Sequence, residues 1–181
     1  MPRLFTAIDP SDDVREQLRA YCDARDVPFE ARWTPPANYH ITLRFIGDVD
    51  DDRAEAVESV LEGVTRDAFT LEPLGLGLLP SRRNPRVLTI NIGVSDPLQG
   101  LYDDVEEALA AADVDREQRS YRPHLTIARL KNADSGDVRS FLKSAPAPEL
   151  STFDIDRFIL YESILKPSGA VHEPRAEFRL G

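Results

Sequence analysis

The sequence has few of the residues from which several kinds of functional site are built. Its 181 residues include one cysteine, Cys22, so an internal disulfide and a thiolate-rich metal site are both excluded. No run of about 18 apolar residues occurs, so no membrane span is expected, and the apolar stretch after Met1 is too short for a signal peptide. These absences predict a cytoplasmic protein.

Lysine is also scarce. The chain has 3 lysines beside 19 arginines, and 19 aspartates beside 13 glutamates, with a net charge of −10. An aspartate-rich, lysine-poor surface stays soluble where salt screens its self-repulsion, which is typical of halophilic proteins. The same charge balance argues against indiscriminate nucleic-acid binding, so any such contact must come from a local basic patch.

An internal repeat of 84 residues organises the chain. Shifting the sequence by that offset places the strand candidate 4–8 on 88–92, the segment 40–43 on 124–127, and 69–71 on 153–155. Helical periodicity fills the intervals, with Ser11 as an expected N-cap and amphipathic segments at 50–61, 97–111 and 137–143.

Each half is therefore predicted to contain a strand, a helix, a strand, a helix and a strand, in that order. We expect an α+β fold with two lobes related by a pseudo-twofold axis. Mostly antiparallel sheets should line a central cleft, with the helices on the outside. The chain is expected to form a single domain, 1–181, with repeat halves at about 1–84 and 85–168, a turn at 167–169, and a C-terminal strand within 170–181.

The repeated segment carries the chemistry: His40-Ile41-Thr42-Leu43 recurs as His124-Leu125-Thr126-Ile127. Side chains two apart on a strand point the same way, so each histidine shares a face with its threonine. A pseudo-twofold axis would bring both faces together. Two imidazoles can supply a general acid and a general base near neutral pH, and two hydroxyls can donate to phosphate oxygens. The pair predicts metal-independent phosphodiester chemistry.

Other readings of these residues are weaker. One His-x-Thr alone would be unremarkable, because threonine favours strands. Two histidines without a third ligand make a poor zinc site, and no glycine-rich phosphate loop is present, so neither a metal nor a cofactor is expected. His172 has no histidine 84 residues away and is expected to be structural.

The chain resembles the RNA 2′,3′-cyclic phosphodiesterase family, also called 2′–5′ RNA ligases, within the two-histidine (2H) phosphoesterase superfamily. Both His-x-Thr-x motifs match, and the likeness extends through 3–9, 33–36, 44–47, 121–129, 160–163 and 167–169. The resemblance implies that His40 is the proton donor to the leaving 3′ oxygen. It also implies that His124 is the proton acceptor from water, which leaves a 2′-phosphate.

The resemblance also implies phosphate contacts from Thr42, Thr126 and Arg129. Alternation alone would turn Arg129 away from His124, so a bulge or strand end is required there. Arg44 is in phase with His40 and is a weaker candidate for RNA contact, with a salt bridge as its alternative role.

RNA contact is further expected from a basic loop and from two aromatic rings that could stack on a base, the residues being Arg82, Arg83, Arg86, Tyr39 and Trp33. The expected partner is RNA with a 2′,3′-cyclic phosphate end, such as a tRNA fragment. No membrane partner is expected, and the chain is expected to be a monomer.

Two alternatives remain at this stage. A non-catalytic nucleotide-binding module is disfavoured because both histidines are present, where binding alone would accept arginine or lysine. A 2′–5′ RNA ligase would use the same residues, with an RNA hydroxyl replacing water. Related substrates, such as ADP-ribose cyclic phosphates or cyclic oligonucleotides, also stay open.

Overall fold

The computed structural model of the protein describes residues 1–167 and 169–181, so residue 168 of the predicted 167–169 turn lies outside the described residues. In chain order the elements are β1 (Arg3–Ile8), α1 (Asp12–Asp23), β2 (Ala31–Trp33), a 3-10 turn (Pro36–Asn38), β3 (Ile41–Asp48), α2 (Asp51–Leu61), β4 (Phe69–Leu71), β5 (Pro73–Pro80), β6 (Pro85–Ile92), α3 (Asp96–Ala111), β7 (His124–Leu130), α4 (Ser135–Ser144), β8 (Phe153–Ile155), β9 (Arg157–Lys166) and β10 (Gly169–Arg179). Every helix in this described part of the chain is too short or too polar to cross a bilayer.

Each of the four α-helices in the described residues begins at a side-chain cap. The hydroxyl or carboxylate of the capping residue accepts a hydrogen bond from a backbone N–H in the first turn, at Ser11, Asp50, Ser95 and Asp134. Such caps satisfy donors that have no partner within the helix. The predicted cap at Ser11 is confirmed, and acidic residues in each first turn favour the positive end of the helix dipole.

The strands form one large antiparallel sheet in the order β10-β9-β1-β3-β7-β6-β5, with β2 also paired to β7, and a small sheet of β4 and β8. The predicted α+β class with antiparallel sheets is confirmed. A single residue pair, Ile41 with Leu125, joins β3 to β7, so the large sheet consists of two lobes that meet at one point.

The repeat is visible in the strand pairing. Ile41 pairs with Leu125, and Thr70 pairs with Asp154, whose carboxylate accepts a 2.7 Å hydrogen bond from the threonine hydroxyl. Both pairs join residues 84 positions apart. In an antiparallel pair related by a twofold rotation, equivalent residues face each other at the axis. The pseudo-twofold axis therefore passes through both sheets.

The lobes interleave the two halves of the sequence. The first lobe contains β1 and β3 with β9 from the second half, and the second lobe contains β6 and β7 with β5 from the first half. One further strand, β10, lies beside β9, whereas β5 forms the edge of the second lobe. The lobes therefore differ at their outer edges.

The two faces of β1 show how the core is divided. Leu4 and Ile8 belong to the main core that the helices cover, and Ile41 and Leu125 lie in the same core with no exposed surface. Phe5 and Ala7 point to the opposite, cleft-facing side, where they pack with Ile159 and Tyr161. This alternation follows from the two-residue period of a strand.

Candidate active site

The pair at the axis brings the two His-x-Thr motifs together. Because Ile41 lies opposite Leu125 in an antiparallel pair, Thr42 comes next to His124 on one side, and His40 comes next to Thr126 on the other. The two apolar residues of the pair are fully buried. Alternation then turns all four polar side chains to the face opposite these two residues, as the sequence pattern predicts.

Each histidine is held by the carbonyl two residues before it. The Nδ1 of His40 lies 2.8 Å from the Asn38 oxygen, and the Nδ1 of His124 lies 2.7 Å from the Arg122 oxygen. A carbonyl can only accept, so Nδ1 carries the proton in both rings. Nε2 is therefore the nitrogen that remains available for proton transfer in each ring.

The electrostatics of the two rings are related but unequal. Burial lowers the pKa of His40 to about 4. The Asn38 carbonyl opposes that shift, while His172, His124 and Arg129 add to it. Burial also lowers the pKa of His124, with the Arg122 carbonyl opposing the shift and the Arg122 guanidinium contributing to it. Both imidazoles are therefore neutral at neutral pH in the protein alone.

Neighbouring elements hold the two motifs in place. The Tyr121 hydroxyl donates to the Thr42 carbonyl at 3.2 Å, which ties the segment before β7 to β3. On the other side, Arg15 donates to the carbonyls of Pro36 and Tyr39, the latter at 3.2 Å, so α1 supports the turn that carries His40. The backbone around both histidines is therefore anchored.

Equivalent bulges re-aim the side chains beyond the motifs. Opposite β1, Leu43 is an extra residue between the paired positions 42 and 44, and opposite β6, Ile127 is the extra residue between 126 and 128. These bulges lie 84 residues apart. Each one shifts the alternation by one residue, and Arg129 lines the cleft together with His124. The bulge that the sequence required for Arg129 is present.

The bulge also corrects the expectation for Arg44. Its guanidinium forms an ion pair with Glu106 on α3, and the two side chains are only 12% and 8% exposed. It also donates to the carbonyls of Phe45 and Asp115. Arg44 was expected on the face of His40, but the extra residue Leu43 turns its side chain toward the helices. A structural ion pair, its alternative role, is what the structure contains.

Tyr39 is likewise not available to stack on a base. Its side chain is 2% exposed and packs in the main core, where its hydroxyl lies 3.7 Å from the Cys22 sulfur. The expectation of base stacking by Tyr39 was wrong, because Tyr39 precedes His40 in the chain and its side chain turns into the core. Trp33 is partly buried against the same core.

A cleft of about 990 Å³ opens beside Thr42 and His124. Arg86, Arg122, Arg129 and Lys131 line it, so its rim is cationic in an otherwise acidic chain. Arg82 lies in a second recess with Arg139 and Lys143, and Arg139 donates to the Arg82 carbonyl at 3.3 Å. Arg83 is exposed on the loop that joins β5 to β6.

An aromatic wall lies on the other side, and no sequence pattern predicts it. Phe5 contacts His40 at a ring-centroid distance of 5.0 Å, and it stacks on Tyr161 at 5.3 Å. Phe45, 63% exposed, lies 5.8 Å from Phe5 and also lines the cleft. His172 completes the wall at 5.2 Å from His40. Strand pairing brings these distant residues together, and no spacing in the sequence indicates it.

Over residues 1–167 and 169–181, no group of three or more histidine, cysteine, aspartate or glutamate side chains is arranged to hold a metal ion.

Known proteins match most of this chain. The family model for LigT like phosphoesterases matches twice, at residues 8–89 and 90–172. An RNA 2′,3′-cyclic phosphodiesterase from Archaeoglobus fulgidus is 28% identical over 171 residues, covering 94% of this chain and 96% of that protein. A protein of the same name from Aeropyrum pernix is 30% identical over 144 residues, covering 78% and 82%.

Solved structures share the fold. Escherichia coli LigT complexed with 3′-AMP superposes with a TM-score of 0.81 at 23% identity, covering 99% of this chain and 98% of the other. The same protein without ligand gives 0.80 with 99% and 97% coverage, also at 23% identity. With two consecutive model matches and a two-histidine site on the repeat axis, the chain belongs to the LigT-like family of 2H phosphoesterases.

Proposed function

We propose that the protein hydrolyses 2′,3′-cyclic phosphate ends of RNA to 2′-phosphomonoesters without a metal ion. The observation that carries the proposal is the paired histidine geometry. Two imidazoles, each with Nδ1 bound to a carbonyl, meet at a pseudo-twofold axis with a threonine beside each. The relatives named RNA 2′,3′-cyclic phosphodiesterase support the choice of substrate.

In the proposed reaction, Nε2 of His124 takes a proton from water while the water oxygen attacks phosphorus. The bond from phosphorus to the 3′ oxygen breaks on the opposite side, and Nε2–H of His40 protonates that oxygen. The products are a 2′-phosphate and a free 3′-hydroxyl. Exchange with solvent then resets both protons. Each acid–base partner contributes about 10²–10⁴-fold in rate.

The low pKa of His40 adds a condition to this mechanism. A proton donor with a pKa of about 4 is unprotonated at neutral pH. His40 must therefore take up its proton when the substrate binds. The phosphodiester brings a negative charge, which favours the imidazolium form. Thr42, Thr126 and Arg129 would hold the non-bridging oxygens, whose charge the transition state retains. Substrate binding and proton uptake are therefore coupled.

The RNA chain would follow the cationic rim. Arg86 lines the cleft, and Arg82, Arg139 and Lys143 continue the positive surface around the β5–β6 loop that carries Arg83. No carboxylate lies within 4.0 Å of these five cations among the residues that the structure describes. Unpaired cations on an acidic protein provide a path for a phosphate backbone.

A 2′–5′ RNA ligase is the second candidate. The open cleft of about 990 Å³ lies beside His124, the side from which the nucleophile would enter. It has room for an RNA 5′-hydroxyl in place of water. A nucleotide-binding module without catalysis fits less well, because binding alone does not need two imidazoles with assigned tautomers.

The proposal extends to the setting of the reaction. We propose that the protein works as a monomer in the cytoplasm, on RNA-processing products such as tRNA fragments. The excess of aspartate over lysine suits high salt, so activity should persist in molar salt. Light scattering tests whether the protein is a monomer, and assays across salt concentrations test whether activity persists in molar salt.

The decisive experiment identifies the product. RNA ending in a 2′,3′-cyclic phosphate is incubated with the protein in excess EDTA, and the phosphate position is determined. A 2′-phosphate that disappears with His40→Ala and with His124→Ala supports the proposal, provided that both variants melt like the wild type. A 3′-phosphate, or activity that needs added metal, contradicts it.

A further inference from the structure

His172 is the third histidine of the chain, and its strand lies on one lobe only. β10 pairs with β9 and places His172 opposite Ser163. The ring lies perpendicular to that of His40, with centroids 5.2 Å apart at 86°. It also meets Phe5 edge-on at 4.9 Å. Three rings, Phe5, His40 and His172, therefore contact one another.

In the part of the chain that the structure describes, the second lobe has no equivalent of this contact. Among the described residues, no strand lies beyond β5 in the way that β10 lies beyond β9. His124 has the Arg122 carbonyl as a hydrogen-bond partner, and none of the ring contacts found over residues 1–167 and 169–181 involves it. β10 thus encloses one catalytic histidine and leaves the other at the open cleft.

A side-chain clamp fixes β10 to the turn that carries His40. The Asn38 amide donates to the Ala170 carbonyl at 2.9 Å, and the Asn38 carbonyl accepts from Nδ1 of His40. One residue therefore joins the proton donor to the strand of His172. The distance between the two imidazoles is consequently set by the backbone as well as by ring packing.

The surroundings of His172 keep its ring uncharged. Its Nδ1 is buried and has no hydrogen-bond partner among the described residues. A buried N–H without an acceptor costs about 1–3 kcal/mol, so the neutral ring keeps its proton on Nε2, and charging the ring is opposed. The groups that face it are His40 before β3, Arg129 on β7, and Tyr161 on β9.

We propose that His172 is a positioning residue for His40: its neutral ring closes the aromatic wall over His40 and keeps water away from that imidazole. The role rests on the proposed function insofar as His40 is the proton donor. The same enclosure is absent around His124, so β10 makes two histidines of a repeated motif chemically different. Burial of this kind lowers the pKa of a histidine.

Three variants test the proposal: His172→Ala, His172→Phe and, as a control on the opposite face of β10, Val171→Ala. The first readout is the pKa of His40, followed by NMR through its ring Cε1 proton in the full chain without substrate. Removing the ring admits water, so His172→Ala should raise that pKa by one unit or more from about 4. His172→Phe and Val171→Ala should leave it low.

The second readout is turnover of a small cyclic nucleotide. In the bound state, where His40 carries its proton, a donor with a higher pKa is a weaker acid, so His172→Ala should lower kcat several-fold and His172→Phe should restore it. KM should fall in His172→Ala, because uptake of that proton on binding becomes easier. An unchanged His40 pKa in His172→Ala overturns the proposal. So does a His172→Phe variant that is as slow as His172→Ala, because the imidazole itself would then be needed. The NMR readout needs no substrate, so it stands even if the chain hydrolyses something else.

Discussion

The two lobes present different surfaces on equivalent frames. At positions 84 residues apart, the first lobe has Phe5, Phe45 and Tyr161 where the second lobe has Thr89, Arg129 and Gly77. The first set forms rings in contact, whereas the second is polar, small or cationic. The repeat thus gives both lobes the same backbone geometry. Different side chains at the matched positions then give each lobe a different surface.

Packing shows how each lobe accommodates its surface. In the second lobe, a Cβ on Gly77 would come within 2.3 Å of the Asn91 side chain, so the amide occupies the space over that glycine. The equivalent pair in the first lobe is Tyr161 with Ala7. In both lobes a large side chain lies against a small residue. The large residue is Asn91 on β6 in the second lobe and Tyr161 on β9 in the first, so the two lobes place it on non-equivalent strands. We infer that the aromatic lobe receives the nucleoside and the polar lobe receives phosphates.

The largest expected effect comes from substituting the matched residues Arg129 and Phe45, which differ between the surfaces of the two lobes. A hydrogen bond from a charged donor contributes about 1.5–3 kcal/mol, so Arg129→Ala should lower kcat/KM about 10- to 100-fold for every cyclic phosphate. Phe45→Ala should raise KM about ten-fold, because stacking contributes about 1–3 kcal/mol per base. The effect should be small on a cyclic phosphate that lacks a base.

Steady-state kinetics with a cyclic mononucleotide and with an abasic cyclic phosphate check both variants. Equal losses from Phe45→Ala on the two substrates would remove the nucleoside role from the aromatic lobe.

The pH profile should separate the two histidines. In the proposed mechanism the active form has His40 protonated and His124 neutral, and in the free protein the pKa of His40 is about 4 while that of His124 is below its ordinary 6.5. The free protein loses this form as pH rises above the higher pKa or falls below the lower one. The kcat/KM profile should therefore be bell-shaped with its maximum below pH 6.5.

The kcat profile reports the bound state, where the substrate anion raises the pKa of His40. Its alkaline limb should accordingly lie at higher pH than that of kcat/KM. A single sigmoidal limb, or identical profiles for the two parameters, would contradict substrate-coupled proton uptake.

Removing the cations of the β5–β6 loop should give a smaller effect that depends on RNA length. Replacing Arg82, Arg83 and Arg86 with serine should weaken binding of long RNA a few-fold and flatten its salt dependence, because fewer counterions are released. Turnover of a cyclic mononucleotide should be unchanged. The matched control replaces Arg53, Arg116 and Arg179, which lie outside both recesses, with serine.

Binding titrations at several salt concentrations measure this effect. A loss of equal size for the control triple would mean that net charge, and not the loop, attracts the RNA.

The smallest effect on catalysis is expected at Arg44, whose repeat counterpart is the buried Ala128. Arg44→Ala leaves Glu106 unpaired next to the core, so the free energy of unfolding should fall by about 3–5 kcal/mol. The double variant Arg44→Ala, Glu106→Leu should recover part of that loss. Urea unfolding measures both, and a defect in nucleotide binding by the folded protein would restore a functional role to Arg44.

Much of the fold, and the pairing of the two His-x-Thr motifs, could be predicted because the 84-residue repeat is visible in the sequence. The 84-residue offset places His40 and His124 on equivalent strands, and alternation selects their faces. The bulges at Leu43 and Ile127 carry no sequence signal, so alternation placed Arg44 on the wrong face. Alternation alone also turned Arg129 away from His124. The family resemblance indicated that Arg129 lies near the phosphate, so a bulge had to be present.

The aromatic wall could not be predicted for a different reason. His172 reaches His40 through strand pairings that join the C-terminus to β1, and such register depends on packing across the whole sheet. The prediction for Tyr39 was wrong for the opposite reason, since the residue next to His40 in the chain turns into the core. Local patterns determine which residues share a face, but not which faces meet.

The unequal roles of the two histidines are tested most directly with a cyclic phosphate in which sulfur replaces the 3′ bridging oxygen. A thiolate leaves without protonation, so a variant that lacks only the proton donor should regain activity on it. His40→Ala should therefore be far closer to wild type on the sulfur substrate than on the oxygen substrate, while His124→Ala stays inactive on both. Recovery of His124→Ala instead, or equal behaviour of the two variants, would contradict the assignment of His40 as acid and His124 as base.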